Sequence, residues 1–173
     1  RRLTLRAGAR VSAIAAAAAA DPESQSTGVS RTWTPVVLRG GAEVAVADRV
    51  ALLLNVDEGF RAPNLDDLTS RQQAGPGFQF ENPDLRPERS LSVEAGARGG
   101  YGAVDAEVWV FRTALRRAIA REPRTAAECP SGAPACAAAP SRFGFVNLDR
   151  QADITGGEAV ARIRLPHAVS AQA

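Results

Sequence analysis

The chain has 173 residues and a formal net charge of +2, with 21 basic residues that are all arginine. That length suffices for one ordinary domain. The near-neutral balance gives no global signal for nucleic acid, and no apolar run reaches the roughly 18 residues a membrane helix needs. The chain contains no Met, so it is expected to be an internal piece of something larger.

Taken in chain order, period-two patterns dominate. Leu3, Leu5, Ala7, Ala9, Val11 and Ala13 alternate with Arg2, Thr4, Arg6, Gly8, Arg10 and Ser12. In the next segment Val36, Leu38, Gly40, Ala42, Val44 and Val46 share one face, with Arg39 and Glu43 on the other. After a short break at 47–49, Leu52, Leu54 and Val56 oppose Asn55 and Asp57. About thirty residues without periodicity follow, Phe60 to Arg89. A fourth strand sets Leu91, Val93, Ala95 and Ala97 against Ser92, Glu94 and Arg98, and a glycine-rich turn follows it. A fifth sets Ala106, Val108 and Val110 against Asp105, Glu107 and Trp109, and is expected to run on through about residue 120. A second irregular stretch, Arg121 to Ser141, holds both cysteines. The last strand region runs from about Phe143 to Leu165, with an interruption expected near Gly156 and Gly157.

Two regularities set the class. No charged residue lies on the apolar face of these stretches, and several stretches run near ten residues, the length of a tilted membrane strand. The connections also alternate: long at about 15–32, 60–89 and 121–141, short at 47–49 and 99–103. Long connections at one end and short turns at the other are the habit of outer-membrane barrels. The fold expected is all-β, an antiparallel meander of about six long strands forming part of a barrel wall. The alternative is a soluble or secreted β-sandwich serving binding or adhesion, which would alternate in the same way.

Other chemistries are weakly marked. Cys129 and Cys136, in a Pro/Gly/Ala stretch, read as a small disulfide, with free thiols or half of a zinc site as the alternatives. The carboxylates Glu58, Asp66, Asp67, Glu81, Asp84 and Glu88 have no nucleophile or histidine among them, so no enzyme is expected. Asp57-Glu58 and Asp66-Asp67 lack the spacing of a calcium loop. Gly96 to Gly102 precedes a strand and reads as a turn. Arg61 and Arg86 read as partners of nearby carboxylates or as contacts to an anionic ligand. His167 is expected at the surface.

The segment EGFRAPNLDDL, followed by NPDLRPERSLSVEAGAR, resembles the barrel of TonB-dependent outer-membrane receptors. The matching positions are Gly59, Phe60, Arg61, Pro63 and Asn64, then Asn82, Pro83, Leu85, Pro87 and Glu88, with Ser90 and Glu94 in the next strand. Phe145, Val146 and Asn147, and later Gly156 to Glu158, are similar to a further block, and the resemblance spans about residues 50 to 165. It implies a partial segment of a twenty-two-stranded transmembrane β-barrel in the bacterial outer membrane. Residues 1–173 would be barrel domain only, with the plug domain and remaining strands absent. It also implies active uptake of a scarce large ligand such as a ferric siderophore. The partners implied are outer-membrane lipid, a plug domain, the TonB complex and a small-molecule ligand, with no nucleic acid and no cofactor. Ligand-contacting residues are not marked by the motif. In this reading NVDEGFRAPNLDDL is a strand leaving the outer leaflet. Phe60 sits near the interface, Pro63 ends the strand, and Asp57 and Gly59 face the lumen.

Overall fold

The computed structural model describes residues 2–23, 25–165 and 169–172; His167 lies outside them. The chain begins with β1 (Arg2–Val11), leaves it for a hairpin of β2 (Ile14–Ala18) and β3 (Val29–Trp33), and returns as β4 (Val36–Ala47). β5 (Val50–Arg61) follows at once. A second excursion carries α1 (Leu65–Thr69), β6 (Gln72–Ala74) and β7 (Gly77–Phe80), and the chain returns as β8 (Glu88–Tyr101) and β9 (Val104–Arg116). A third carries β10 (Ile119–Pro123), a 3₁₀ turn at Ala126–Glu128, α2 (Pro134–Ala138) and β11 (Ser141–Asn147). β12 (Ala152–Leu165) and β13 (Val169–Gln172) close the described chain.

The seven wall strands form one sheet in the order β1-β4-β5-β8-β9-β12-β13, every neighbouring pair antiparallel. Each wall strand thus pairs with its predecessor in the wall, and the meander runs without crossovers. At one end the strands are joined tightly. β8 and β9 meet through Gly102 and Ala103, and Gly102 has φ +60°, which a residue without Cβ adopts freely. At the other end lie the three excursions.

The alternation read from sequence is the facing of this sheet. Ala42 pairs with Leu54, Leu54 with Ala95 and Ala95 with Val110, all on one face. That face is bare: Leu5 is 70% exposed and Val110 59%. A sandwich would cover it with a second sheet; here no described element does. The opposite face carries charge. Glu43 reaches Arg98 at 2.5 Å and Arg6 at 3.9 Å, and Arg164 reaches Asp105 at 2.6 Å. Asp57 lies on this face opposite Arg39.

Three expectations need correction. The fifth strand does not run on to residue 120. It ends at Arg116, because Arg117 takes φ +55° and turns the chain out of the sheet, and β10 pairs with β11 instead. The last strand region is not broken at Gly156-Gly157, which lie inside β12; its break is at residues 148–151. Gly156 is there because the Phe111 ring of β9 covers it, and a Cβ on Gly156 would stand 2.5 Å from that ring. Finally, the long excursions are not irregular. They hold a four-stranded sheet in the order β10-β11-β7-β6, in which β11 and β7 run parallel, and the β2–β3 hairpin.

The buried core sits in this layer, not in the wall. Leu68 of α1 is fully buried and Leu85 is 3% exposed. They pack with Ala16 and Val29 of the hairpin and touch Trp33, Ile119 and Phe145. Each of the three excursions contributes to this cluster, so they form one body above the sheet edge. No described helix is long and apolar enough to cross a membrane, which says nothing of crossing by strands.

Candidate functional site

The motif residues meet where the wall passes into the layer above it. β5 ends at Arg61. Pro63 is buried, and Asn64 then caps α1: its Oδ1 accepts from the Asp67 amide at 2.7 Å, while Asp67 Oδ2 accepts from the Asn64 amide at 3.2 Å. This reciprocal arrangement satisfies the first free donors of a helix only five residues long. Asp67, 5% exposed, also accepts from Arg61 at 3.3 Å.

Arg61 lies between two carboxylates. Its other terminal nitrogen is 3.4 Å from Glu88, which opposes Arg61 across the β5–β8 pair. Glu88 in turn accepts the Ile119 amide at 2.6 Å. The Arg61–Asp67–Glu88 group therefore ties the end of β5, the start of α1, the start of β8 and the start of β10. Arg61 thus has carboxylate partners on both terminal nitrogens. Arg86 has no carboxylate partner within ion-pair distance among the described residues.

The second and third motif blocks lock together in the same place. Asn82 donates from Nδ2 to the Phe145 carbonyl at 2.8 Å. The Arg86 amide donates to Asn147 Oδ1 at 2.7 Å, and Asn147 Nδ2 donates back to the Arg86 carbonyl at 2.7 Å and to the Arg117 carbonyl at 2.9 Å. The last bond holds the outward bend at Arg117. The Pro83 carbonyl accepts from Arg31 at 2.8 Å, bringing in the β2–β3 hairpin. Leu85 is buried in the shared cluster, and Pro87 lines a small cleft with Phe60, Arg89 and Trp33. Gly59 opposes Ser90, whose Oγ occupies the space a Cβ on Gly59 would take. Phe60 lies under the Arg89 guanidinium, 5.7 Å from carbon to ring centroid, on the apolar face.

Sequence reasoning did not find several members of this junction. Ile119 enters through its backbone, which no side-chain pattern marks. Arg31 lies in the first excursion, far from the motif in sequence. Cys129 and Cys136 are disulfide-bonded, with Cα atoms 5.8 Å apart, and close the tip of the third excursion. The Arg142 side chain donates to the Cys136 and Ala137 carbonyls at 2.8 and 2.6 Å, anchoring that tip to β11.

The arrangement is a mechanical junction with a charged inner wall below it. Among the described residues no group of three His, Cys, Asp or Glu side chains is placed to hold a metal. On the inner face Arg98, Asp105, Glu107, Arg162 and Arg164 line a broad recess near the tight-turn end.

Residues 1–171 match the family described as "TonB dependent receptor-like, beta-barrel". Over 122 residues the chain is 32% identical to the iron-regulated outer membrane virulence protein of Vibrio cholerae serotype O1, covering 66% of this chain and 18% of that relative. Among solved structures it resembles a double mutant of the Serratia marcescens hemophore receptor HasR in complex with its hemophore HasA and heme. That likeness has a TM-score of 0.68 and 18% identity, over 92% of this chain and 29% of that one. The copper transporter OprC gives 0.69 and 19%, over 96% and 24%. The siderophore receptor PirA from Pseudomonas aeruginosa gives 0.63 and 16%, over 95% and 32%. At these identities the solved structures bear on fold alone.

Proposed function

The chain belongs to the TonB-dependent receptor β-barrel family and lies in the bacterial outer membrane, and from that premise we propose that it is the wall segment of an active transporter taking up a scarce large ligand such as a ferric siderophore. In this reading residues 1–173 supply barrel strands and three external connections. A plug domain and further strands of the same receptor complete the pore, and the TonB complex supplies the energy. The bare apolar face meets lipid, since every backbone group of a spanning strand must find its partner in a neighbouring strand. The charged face lines the lumen. No enzymatic step belongs to this reading.

The observation that carries it is the union of the three external excursions into one packed body, around Leu68 and Leu85, standing on a wall with a polar inner face. A receptor that catches a large ligand from dilute solution needs a shaped external surface, and three independently mobile loops would lose affinity to ordering entropy. The iron-regulated outer membrane relative, at 32% identity, supports the cargo class.

The test is uptake of radioactive iron by a host stripped of its own iron receptors and expressing the full-length receptor. Separate cultures are supplied with a ferric hydroxamate, a ferric catecholate or haem. Accumulation from one of them, abolished by a protonophore and by deletion of TonB, is the expected result. Accumulation that persists undiminished without TonB would overturn energised transport and leave a passive pore.

A further inference from the structure

The four-stranded sheet of the external body is made of two halves. Its order is β10-β11-β7-β6, so the third excursion supplies one half and the second supplies the other. The halves meet at a parallel seam, with Ser141 beside Gly77 at one end and Gly144 beside Phe80 at the other. The seam is buried: Phe78 is 4% exposed, Gln79 6% and Phe143 6%. Short strands so distant in sequence pair against the entropy of closing the chain between them. Near Gly144 and Phe80 the bonds of Asn82 and Asn147 hold the two halves together.

At the far end the tie is α2. It belongs to the third excursion but packs against β6 of the second. Arg142 of β11 donates from Nε to the Cys136 carbonyl at 2.8 Å and from a terminal nitrogen to the Ala137 carbonyl at 2.6 Å. α2 is therefore held from both sides of the seam, by β11 and by β6, with β7 between them in the sheet.

A helix of five residues does not sustain itself. Cys136 of α2 is fully buried and is bonded to Cys129, a half-buried residue that closes the 3₁₀ turn after β10. β10 is the opposite edge of the sheet from β6. The disulfide thus joins a turn leaving one edge to a helix packed on the other, and it confines α2 to the place where Arg142 and β6 meet it. An unlinked α2 would lose its position to chain entropy. Arg142 would then lose both acceptors at once.

We propose that the Cys129–Cys136 disulfide is a redox switch for the external body. Oxidised, it holds α2 across the β7–β11 seam; reduced, it releases α2 and the seam opens while the wall stays paired. Any consequence for ligand capture rests on the transport reading, but the opening of the seam does not.

The co-reactant is a dithiol. One of its thiolates attacks the sulfur of half-buried Cys129 rather than that of fully buried Cys136. The S–S bond breaks, and Cys136 leaves and takes up a proton. The second thiol of the reagent then attacks the mixed disulfide, frees Cys129 and leaves the reagent as a disulfide. Two electrons and two protons pass from the dithiol to the protein.

The test is amide exchange, read by mass spectrometry, of the full-length receptor in detergent before and after treatment with dithiothreitol. Cys129→Ser/Cys136→Ser is the comparison, and the mobility of unheated protein on gels reports the wall. The expected result is exchange over residues 72–80 about tenfold faster on reduction. The double serine variant should start at the faster rate and ignore the reagent. Reoxidation with oxidised glutathione should restore protection, and the compact gel form should persist throughout. Unchanged exchange over 72–80, with only residues 126–139 opening, would overturn the proposal by confining the disulfide to its own loop. So would a disulfide that survives dithiothreitol in the folded receptor, which would make it a permanent staple. Protection that fails to return on reoxidation would equally overturn a switch. None of these readouts needs a ligand, so their failure and the failure of the uptake test are separate results.

Discussion

The indole of Trp109 on β9 covers Gly96 on β8. The two residues are paired across the strands, and a Cβ placed on Gly96 would stand 2.6 Å from the indole carbons. The Trp109 Nε1 donates to Glu107 at 2.5 Å, so the ring is held at its polar edge while its flat side fills the gap the glycine leaves. Gly96→Ala should therefore push the indole from its seat and destabilise the folded receptor by about 1–3 kcal/mol, the usual range for overpacking. The midpoint of heat-induced loss of the compact gel form measures it. An unchanged midpoint would mean that the ring moves aside freely and that the glycine is not needed as a seat.

The facing of the wall is tested at adjacent positions. Leu54 is on the bare face and Asn55 on the charged face, where it lies close to Gly41. Leu54→Arg puts a guanidinium against lipid and should cost about 2–4 kcal/mol near the midplane. Asn55→Arg adds a charge to a face that already carries Glu43, Asp57 and Glu94, and should be milder. Assembly yield and heat stability of the two variants give the answer; equal losses would refute the assignment.

These two cases show why the wall was legible and the layer above it was not. A membrane strand imposes a period of two over ten or more residues, and Leu52, Leu54 and Val56 display it without help from any other part of the chain. Pairing in the excursions is non-local. β11 finds β7 in a parallel register, Ser141 beside Gly77 and Arg142 beside Phe78, across more than sixty residues. Strands of three to five residues such as β6 and β10 are too short to show a period. The alternation places Trp109 on the polar face, but its partner there, Gly96, is defined only by the register. The motif positions could be named in order, but the tie between Glu88 and the Ile119 amide arises from the meeting of two excursions and leaves no local trace.

The junction predicts an ordering of effects. The Arg61 side chain is about half exposed, at 49%, and its two ion pairs are open to solvent screening, so Arg61→Ala should cost under about 1 kcal/mol. Glu88→Ala removes the acceptor of a partly buried amide as well as the ion pair, and should cost about 1–3 kcal/mol. The readout is trypsin cleavage at Arg121 and Arg124 in intact cells, where accessibility reports opening of the third excursion. Faster cleavage in Arg61→Ala than in Glu88→Ala would show that the ion pairs, not the amide bond, hold the layer.

The Cys129–Cys136 disulfide closes a loop with a sequence separation of 7, for which chain entropy gives about 2.5 kcal/mol. That stabilisation is local to the layer above the wall, where α2 packs against β6 and is tied to β11 through Arg142. Cys129→Ser/Cys136→Ser should raise protease sensitivity between residues 124 and 142 and leave the heat stability of the barrel unchanged. A matching fall in barrel stability would show that the tip is coupled to the wall.

Beside that loop, acid should act through Glu128. Its carboxylate accepts from the Thr125 amide at 2.6 Å and the Thr125 hydroxyl at 2.9 Å, with Arg124 donating at 3.1 Å. These bonds, the backbone one foremost, hold its carboxyl below the ordinary glutamate value of 4.5. A carboxyl depressed in the folded state contributes stability that is fully present above the unfolded value and is lost as pH falls through the folded one. The turn from Thr125 to Cys129 should therefore keep constant amide-exchange protection, after correction for intrinsic rates, down to about pH 5 and lose it in stronger acid. Glu128→Gln keeps an acceptor oxygen but cannot ionise, so its protection should be lower at neutral pH and flat with acidification. Loss of protection in Glu128→Gln along the same acid curve would assign the pH dependence to another group in the excursion.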